Sequence, residues 1–361
     1  MKVKVTTESF INALKDVQKV APSETINITA SSKALTLSSS STGASICVIV
    51  SGAKVESKGY CAVPVATLEG VLKKRKDVVF ELHKDELQFK AGSATSYAGK
   101  LTTVPYQEIK IEKEESILKL DEETLSKLSE IISNVALNSV NLKKQDILPI
   151  CVRLSDEGIE ASCASRNHMA YAHFHKKTFK KTNEFCVEPS ILPLIESVSR
   201  KSAYKLAVTD NSVFAESDTF QIRFVTQQLD RFVKLQTVKD FLKNRPKAEA
   251  TIKAKSEDVV ASFQNMLSLY EQNSFIEVTC KDNTLKVATK TKFGAASENL
   301  KGEAKGGFKK PYGVHPKVFD DLLVKCKANT IKIGFHDGTS ISIDQSKSDV
   351  DYSYSCSTTK L

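Results

Sequence analysis

The sequence predicts an α+β chain of three repeated sheet-plus-two-helix domains, and three observations carry that prediction. First, a short anchor recurs: Val63-Pro64, Val187-Glu188-Pro189 and Val314-His315-Pro316, with the valines 124 and 127 residues apart. Second, the apolar register holds beyond each anchor. Leu68, Leu192 and Phe319 follow at one fixed offset, and Val71, Ile195 and Leu322 at the next. Phe80, Tyr204 and Ile331, then Leu82, Leu206 and Ile333, continue it. Third, each third of the chain switches between period-2 and period-3.6 patterning in the same order. A period this long is a copied domain rather than a solenoid unit. The expected domains are 1–115, 116–245 and 246–361.

Each domain opens on a short strand: Val3-Val5, Leu118-Leu120 or Ile252-Ala254. An amphipathic helix follows, with apolar positions Phe10/Leu14/Val17, Leu125/Leu128/Ile132 and Val259/Phe263/Met266 on one face. Acidic and hydroxyl residues precede each stripe, as N-caps and first turns require. Alternating hairpins come next: Ile26-Ile28 to Leu35-Leu37, Ile150-Val152-Leu154 to Ile159-Ala161-Cys163, and Ile276-Val278 to Leu285-Val287. A strand pair leads into the anchor, the second helix and a last hairpin. In the third domain that hairpin turns at His336-Asp337-Gly338-Thr339. The charge-rich segments 105–117 and 236–247 read as linkers, and the serine run at 38–41 as a mobile loop.

The net charge of +9 is spread evenly, +3 in each domain. A polyanion would therefore be met by all three units together. No apolar run approaches a membrane span, and no signal-peptide core is present. The eight cysteines are scattered without a C-x-x-C and read as reduced core thiols of a cytosolic protein. Gly92 through Lys100 superficially suggests a phosphate loop, but the glycine spacing is wrong and the context is strand to strand. His168, His173 and His175 cluster, and the last two share a strand face. With no second ligand pair, no metal site is expected. No nucleophile elbow or zinc-protease motif occurs, so the chain is not expected to be an enzyme and no cofactor is implied.

Positive charge recurs at one place, the end of each second helix: Lys76, Arg200 and Lys327. Lys73, Lys74, Arg75, Lys201 and Lys325 accompany them. Lys15 and Lys19 on the first helix, and Lys127, Lys143 and Lys144 around its second copy, extend the set. One basic helix end is ordinary dipole compensation. Three equivalent ends suggest a shared surface facing a polyanion.

The stretch Leu120-Asp121-Glu122-Glu123-Thr124-Leu125-Ser126-Lys127-Leu128, through Ala164-Ser165-Arg166-Asn167-His168-Met169-Ala170, resembles the second domain of the bacterial sliding clamp, the beta subunit of DNA polymerase III. The family reads A-T-D-G-H-R-L over the second part. Here Arg166-Asn167 stand for Asp-Gly, Met169 for Arg, and a polar tail, Ser357–Leu361, for an apolar one. The layout matches along the whole chain, as in a divergent member, cellular or viral. The resemblance implies a non-catalytic processivity factor, a head-to-tail homodimer ring around double-stranded DNA. Twelve helices spaced by about 9 Å would line a circle roughly 35 Å across. It implies sequence-independent DNA contact, a replicative polymerase and a clamp-loader ATPase as partners, no membrane, and a cytoplasmic location in the bacterium or a virus's host. It places a partner-peptide pocket at Leu148, His168, Met169, Ala170, Thr339, Ile341, Lys360 and Leu361. It places the dimer contact at Tyr97 and Leu101 against Met266 and Leu267. Two rivals remain open: a three-domain nucleic-acid-binding or scaffolding protein that never closes, and an enzyme with a site between repeats.

Overall fold

The computed structural model describes the chain except residues 73–75, 84–85, 92–93, 100–116, 138–147, 166–167, 177–178, 200–203, 210–211, 227–232, 270–274, 293, 309, 327, 348 and 361. The first stretch runs β1 (Lys2–Thr6), α1 (Thr7–Val20), β2 (Thr25–Ala30), β3 (Leu35–Ser40), β4 (Ala44–Ile49), β5 (Lys54–Ser57) and β6 (Gly59–Pro64). It continues through α2 (Val65–Leu72), β7 (Asp77–His83), β8 (Glu86–Ala91) and β9 (Ala94–Gly99). Next come β10 (Ile117–Leu120), α3 (Glu122–Val135), β11 (Ile150–Ser155), β12 (Gly158–Ala164), β13 (His168–Phe174) and β14 (Asn183–Val187). α4 (Ile191–Ser199), β15 (Tyr204–Val208), β16 (Ser212–Glu216), β17 (Phe220–Val225) and α5 (Leu235–Lys243) complete the middle. The last stretch is β18 (Ala250–Lys255), α6 (Ser256–Leu267), β19 (Ile276–Lys281), β20 (Thr284–Thr291), β21 (Gly294–Asn299), β22 (Glu303–Gly306) and β23 (Tyr312–Val314). It ends with α7 (Pro316–Leu323), β24 (Thr330–His336), β25 (Ser340–Lys347), β26 (Val350–Ser357) and β27 (Thr359–Lys360).

Two compact units result. One holds Met1–Ser126 and Ser190–Thr226, the other Lys127–Pro189 and Gln227–Leu361. The first contains a sheet of order β5-β1-β7-β8-β9 and another of order β10-β15-β16-β17-β4-β3-β2-β6. The second contains β14-β11-β12-β13-β26-β25-β24-β18-β22 and β21-β20-β19-β23-β27. Residues 116–245 are therefore divided between the units. Their two half-sheets extend those of the preceding and following stretches through β17–β4 and β13–β26.

Local chemistry accounts for the elements. The Thr6 side chain accepts from the Ser9 amide at 3.3 Å and caps α1, whose Phe10, Leu14 and Val17 are buried. Phe10 stacks on Phe80 with ring centroids 4.8 Å apart. In the other unit Phe263 of α6 meets Phe319 of α7 at 4.5 Å. Asp337 and Gly338 adopt φ of 47° and 64°, as a two-residue hairpin turn of the left-handed kind demands.

Three expectations fail here. The serine run is not a loop: β3 continues to Ser40, and Ser38 and Ser39 are buried. The second linker contains α5, whose Leu235, Val238 and Leu242 are buried at helical spacing. The cysteines are not all free. Cys151 and Cys186 face each other across β11 and β14 and form a disulfide, and the other six cysteines are not in disulfides.

Candidate nucleic-acid and partner interfaces

Helix α1 turns its apolar face to β3 and β4 of its own unit, which leaves Lys15 and Lys19 exposed on the opposite side. Lys76 follows α2, is exposed, and accepts the Thr7 amide on its carbonyl at 2.8 Å. Among the residues expected to contact nucleic acid, these lysines are open to solvent. Lys325, beyond α7, is only half-exposed. Burial pulls its ammonium below the ordinary lysine range, although Asp321 and Cys163 draw it the other way. Lys127 of α3 is engaged by Glu130 at 3.3 Å and Asp349 at 3.5 Å. Lys73, Lys74, Arg75, Lys143, Lys144, Arg200, Lys201 and Lys327 lie outside the described residues.

The expected peptide pocket falls on the seam between β13 and β26. His168 stands opposite Cys356, which stands opposite Ile341 on β25. Ala170 stands opposite Tyr354. Strand alternation puts His168, Ala170 and Ile341 on one face, where all three are buried. Met169 lies on the other face, opposite Ser355, and is half-exposed. The residues are thus neighbours, but Met169 does not share a wall with Ala170. The His168 Nδ1 lies 2.7 Å from the Ser165 hydroxyl, which fixes the ring. Leu148 is half-exposed and Thr339 exposed. The tail is a strand rather than a free end: Thr359 and Lys360 pair with Gly313 and Tyr312 of β23. Leu361 lies outside the described residues.

His173 near the end of β13 and His175 just beyond it lie with ring centroids 3.9 Å apart. His175 Nε2 lies 2.7 Å from the Asp351 carboxylate, and His173 Nε2 3.1 Å from the Glu157 carbonyl. Among the described residues no group of three potential ligands could hold a metal. Nor is any described helix long and apolar enough to cross a membrane.

The expected dimer residues separate. Met266 is 3% exposed inside its own unit's core, so it is not available to a second copy, whereas Leu267 is half-exposed. Tyr97 lies on β9, and Leu101 is outside the described residues. Strand topology puts Tyr97 at the end of a sheet. Among the described residues β9 and β21 each end a sheet. Beside β21 lies an open cavity of about 440 Å³, walled by Phe275, Glu277, Ala288, Lys290, Ala295 and Ser297.

An unanticipated feature is a charged cluster under α5. Glu160 is fully buried; it accepts from the Tyr171 hydroxyl at 2.5 Å and from Lys239 Nζ at 2.6 Å. Arg153 lies 3.5 Å away and also binds Glu184 at 3.1 Å. Burial pushes the Glu160 carboxyl up, but the hydrogen bonds from Lys239 and Tyr171 hold it below the usual glutamate value. The only sequence signal was the alternation that places Arg153, Glu160 and Tyr171 on the sheet face opposite the core.

No protein-family model and no curated relative matches the sequence. Solved structures do match. The DNA polymerase sliding clamp of Bacillus subtilis superposes with a TM-score of 0.85 at 12% identity, over 100% of this chain and 99% of that one. The DNA polymerase beta subunit of Streptococcus pyogenes gives 0.84 at 13% identity, over 100% of both chains. The DNA polymerase III beta subunit of Thermotoga maritima gives 0.81 at 13%, over 100% and 99%. The chain therefore has the sliding-clamp fold from end to end.

Proposed function

We propose that this chain is a DNA sliding clamp, a non-catalytic processivity factor that encircles duplex DNA and tethers a replicative polymerase. The observation that carries the reading is the end-to-end correspondence with clamp structures. In this reading residues 1–115, 116–245 and 246–361 are the three clamp repeats. Two chains join head to tail through the edge strands β9 and β21, giving six repeats in a closed ring. Lys15, Lys76 and the other basic residues at helix ends touch phosphates without reading bases, so the ring slides. The partners are double-stranded DNA, the polymerase, a loader ATPase and a second copy of the chain, in the cytoplasm of a bacterium or of a virus's host. The polymerase inserts a short peptide beside Leu148, Met169 and Thr339, which among the described pocket positions are not buried.

Retention on DNA tests the proposal. A ring loaded onto nicked circular DNA remains bound in high salt and is lost once the circle is linearised. A scaffold that never closes is lost equally from both. Equal loss from both, together with a mass of one 39.7 kDa chain in solution, rejects the ring.

A further inference from the structure

Two sulfurs from cysteines 35 residues apart in sequence lie together under α5. Cys151 of β11 and Cys186 of β14 are register partners on adjacent antiparallel strands. Their Cα atoms are 4.3 Å apart, the close spacing of a pair without mutual hydrogen bonds. Strand alternation turns Cys151 and Arg153 to one face of the sheet, with Cys186 and Glu184 beside them. On that face α5 packs against β11, β12 and β13. Its fully buried Leu235 joins both sulfurs in one cluster, against which Tyr171 also packs. The Val233 carbonyl, on the approach to the helix, lies 3.7 Å from Cys151 Sγ.

Polar contacts fasten the helix beside the sulfurs. Gln236 Oε1 accepts from Arg153 at 3.2 Å, and Lys239 Nζ donates to Glu160 at 2.6 Å. Arg153 is two residues from Cys151 and Glu184 two from Cys186, so their 3.1 Å ion pair flanks the disulfide. The helix itself is short: nine residues, with no side-chain cap at Lys234. A helix of this length does not persist undocked, so its lifting is a local event that leaves the sheet intact.

We propose that Cys151–Cys186 is a reversible redox site gated by α5. It exchanges with dithiol reductants and with small-molecule disulfides only when the helix lifts, and its bonding state sets how tightly the helix is seated. In reduction, a thiolate of the dithiol attacks one sulfur, forms a mixed disulfide and releases the other cysteine as a thiolate. The reductant's second thiolate then attacks its own sulfur of the mixed disulfide and releases the first cysteine. Two electrons pass to the pair, the reductant leaves as a cyclic disulfide, and both cysteines take up protons. Oxidised glutathione reverses the sequence and leaves as two thiols.

The coupling to the helix comes from volume. On reduction two bonded sulfurs must part to van der Waals distance, and a close-packed site resists the added bulk. The strands are held by their ladder, so α5 is the wall that moves. The Val233 carbonyl is placed to accept from the new Cys151 thiol, so reduction loosens the helix rather than expelling it. By linkage, whatever weakens the seat of α5 favours the dithiol form. Nothing in this chemistry depends on ring closure.

Alkylation, reduction rates and amide exchange on the whole chain test the site. After treatment with oxidised glutathione, the denatured chain should take up six iodoacetamide labels, and eight after full reduction. Dithiothreitol should reduce the native Leu235→Ala and Lys239→Met chains at least ~10-fold faster than wild type, and Phe241→Ala within about 2-fold of it. In denaturing urea all of them should react alike. Val287→Ala, a buried change in the other sheet of the same unit, controls for general loss of stability and should stay near wild type. Amide hydrogen exchange across 235–243 should be at least ~5-fold faster in the reduced chain than in the oxidised one. The Cys151→Ser/Cys186→Ser chain should match the reduced one whatever the reagent. Eight labels on the oxidised chain overturn the redox pair. Equal reduction rates in Leu235→Ala and wild type, or an equal gain in Val287→Ala, overturn gating by α5. Exchange across 235–243 that ignores the redox state overturns the coupling and leaves the pair standing.

Discussion

Glu160 shows what a buried charge needs in order to persist. Its two oxygens take a phenol, an ammonium and the edge of a guanidinium, so the cost of dehydrating the carboxylate is offset by three donors. Replacing it with glutamine removes the anion and leaves Lys239 without its nearest carboxylate, while Arg153 keeps Glu184. Glu160→Gln should cost about 3 kcal/mol in urea unfolding at pH 7. Adding Lys239→Met should return part of that loss, because the stranded ammonium disappears. The pH sign follows from the carboxyl being held below its free value of 4.5. Its contribution is fully present above that value and lost as pH falls through the lower, folded one. The wild-type stability should therefore drop between pH 5 and pH 3 by more than that of the glutamine variant, both followed by urea midpoint. Equal drops would mean that the network does not hold the proton off Glu160.

At the scale of elements, α5 shows how far the sequence could be read. Leu235, Val238 and Leu242 carry a helical period, but the surrounding charge of segment 236–247 masked it, and the segment looked like a plain linker. What makes it fold is tertiary: Leu235 packs on the Cys151–Cys186 pair, and Lys239 reaches Glu160. Neither contact is visible without knowing that β11 and β14 lie side by side. By contrast the hairpins, α1, α6 and the anchor strands were legible, because burial on one face imposes a period that needs no partner. The peptide pocket was only half legible. Matching residue to residue found the right strands, but β13 alternates, so Met169 and Ala170 face opposite ways. Leu235→Ala should lower stability by about 2 kcal/mol or more, while Phe241→Ala, 47% exposed on the same helix, should change it by less than about 0.5 kcal/mol. Thermal melts of the two variants make the comparison, and similar losses would show that the wrong face of α5 has been taken as buried.

Across the whole molecule the decisive property is the even spread of charge, +3 in each third of the chain. A protein that reads one nucleic-acid site concentrates its basic residues, whereas a ring that slides gains by having no preferred sector. The lysines of this spread are nevertheless unequal in their surroundings. Lys15 and Lys76 project from the first unit into solvent, free to neutralise phosphates and release counterions. Lys325 is half-buried, and burial pulls its ammonium below the ordinary lysine range while Asp321 draws it the other way. Reversing the sign should therefore have two distinct consequences. Lys15→Glu and Lys76→Glu should each reduce retention on circular DNA, additively, and should flatten the salt dependence of binding without changing the melting temperature. Lys325→Glu should instead lower the melting temperature, since it sets a second carboxylate beside Asp321 in a partly dehydrated place. Measuring retention at several salt concentrations alongside thermal unfolding separates the two effects. If Lys325→Glu lost DNA while melting normally, its ammonium would have to leave its half-buried position to meet the duplex. If Lys15→Glu and Lys76→Glu retained DNA fully, the duplex would have to run past other helices than these.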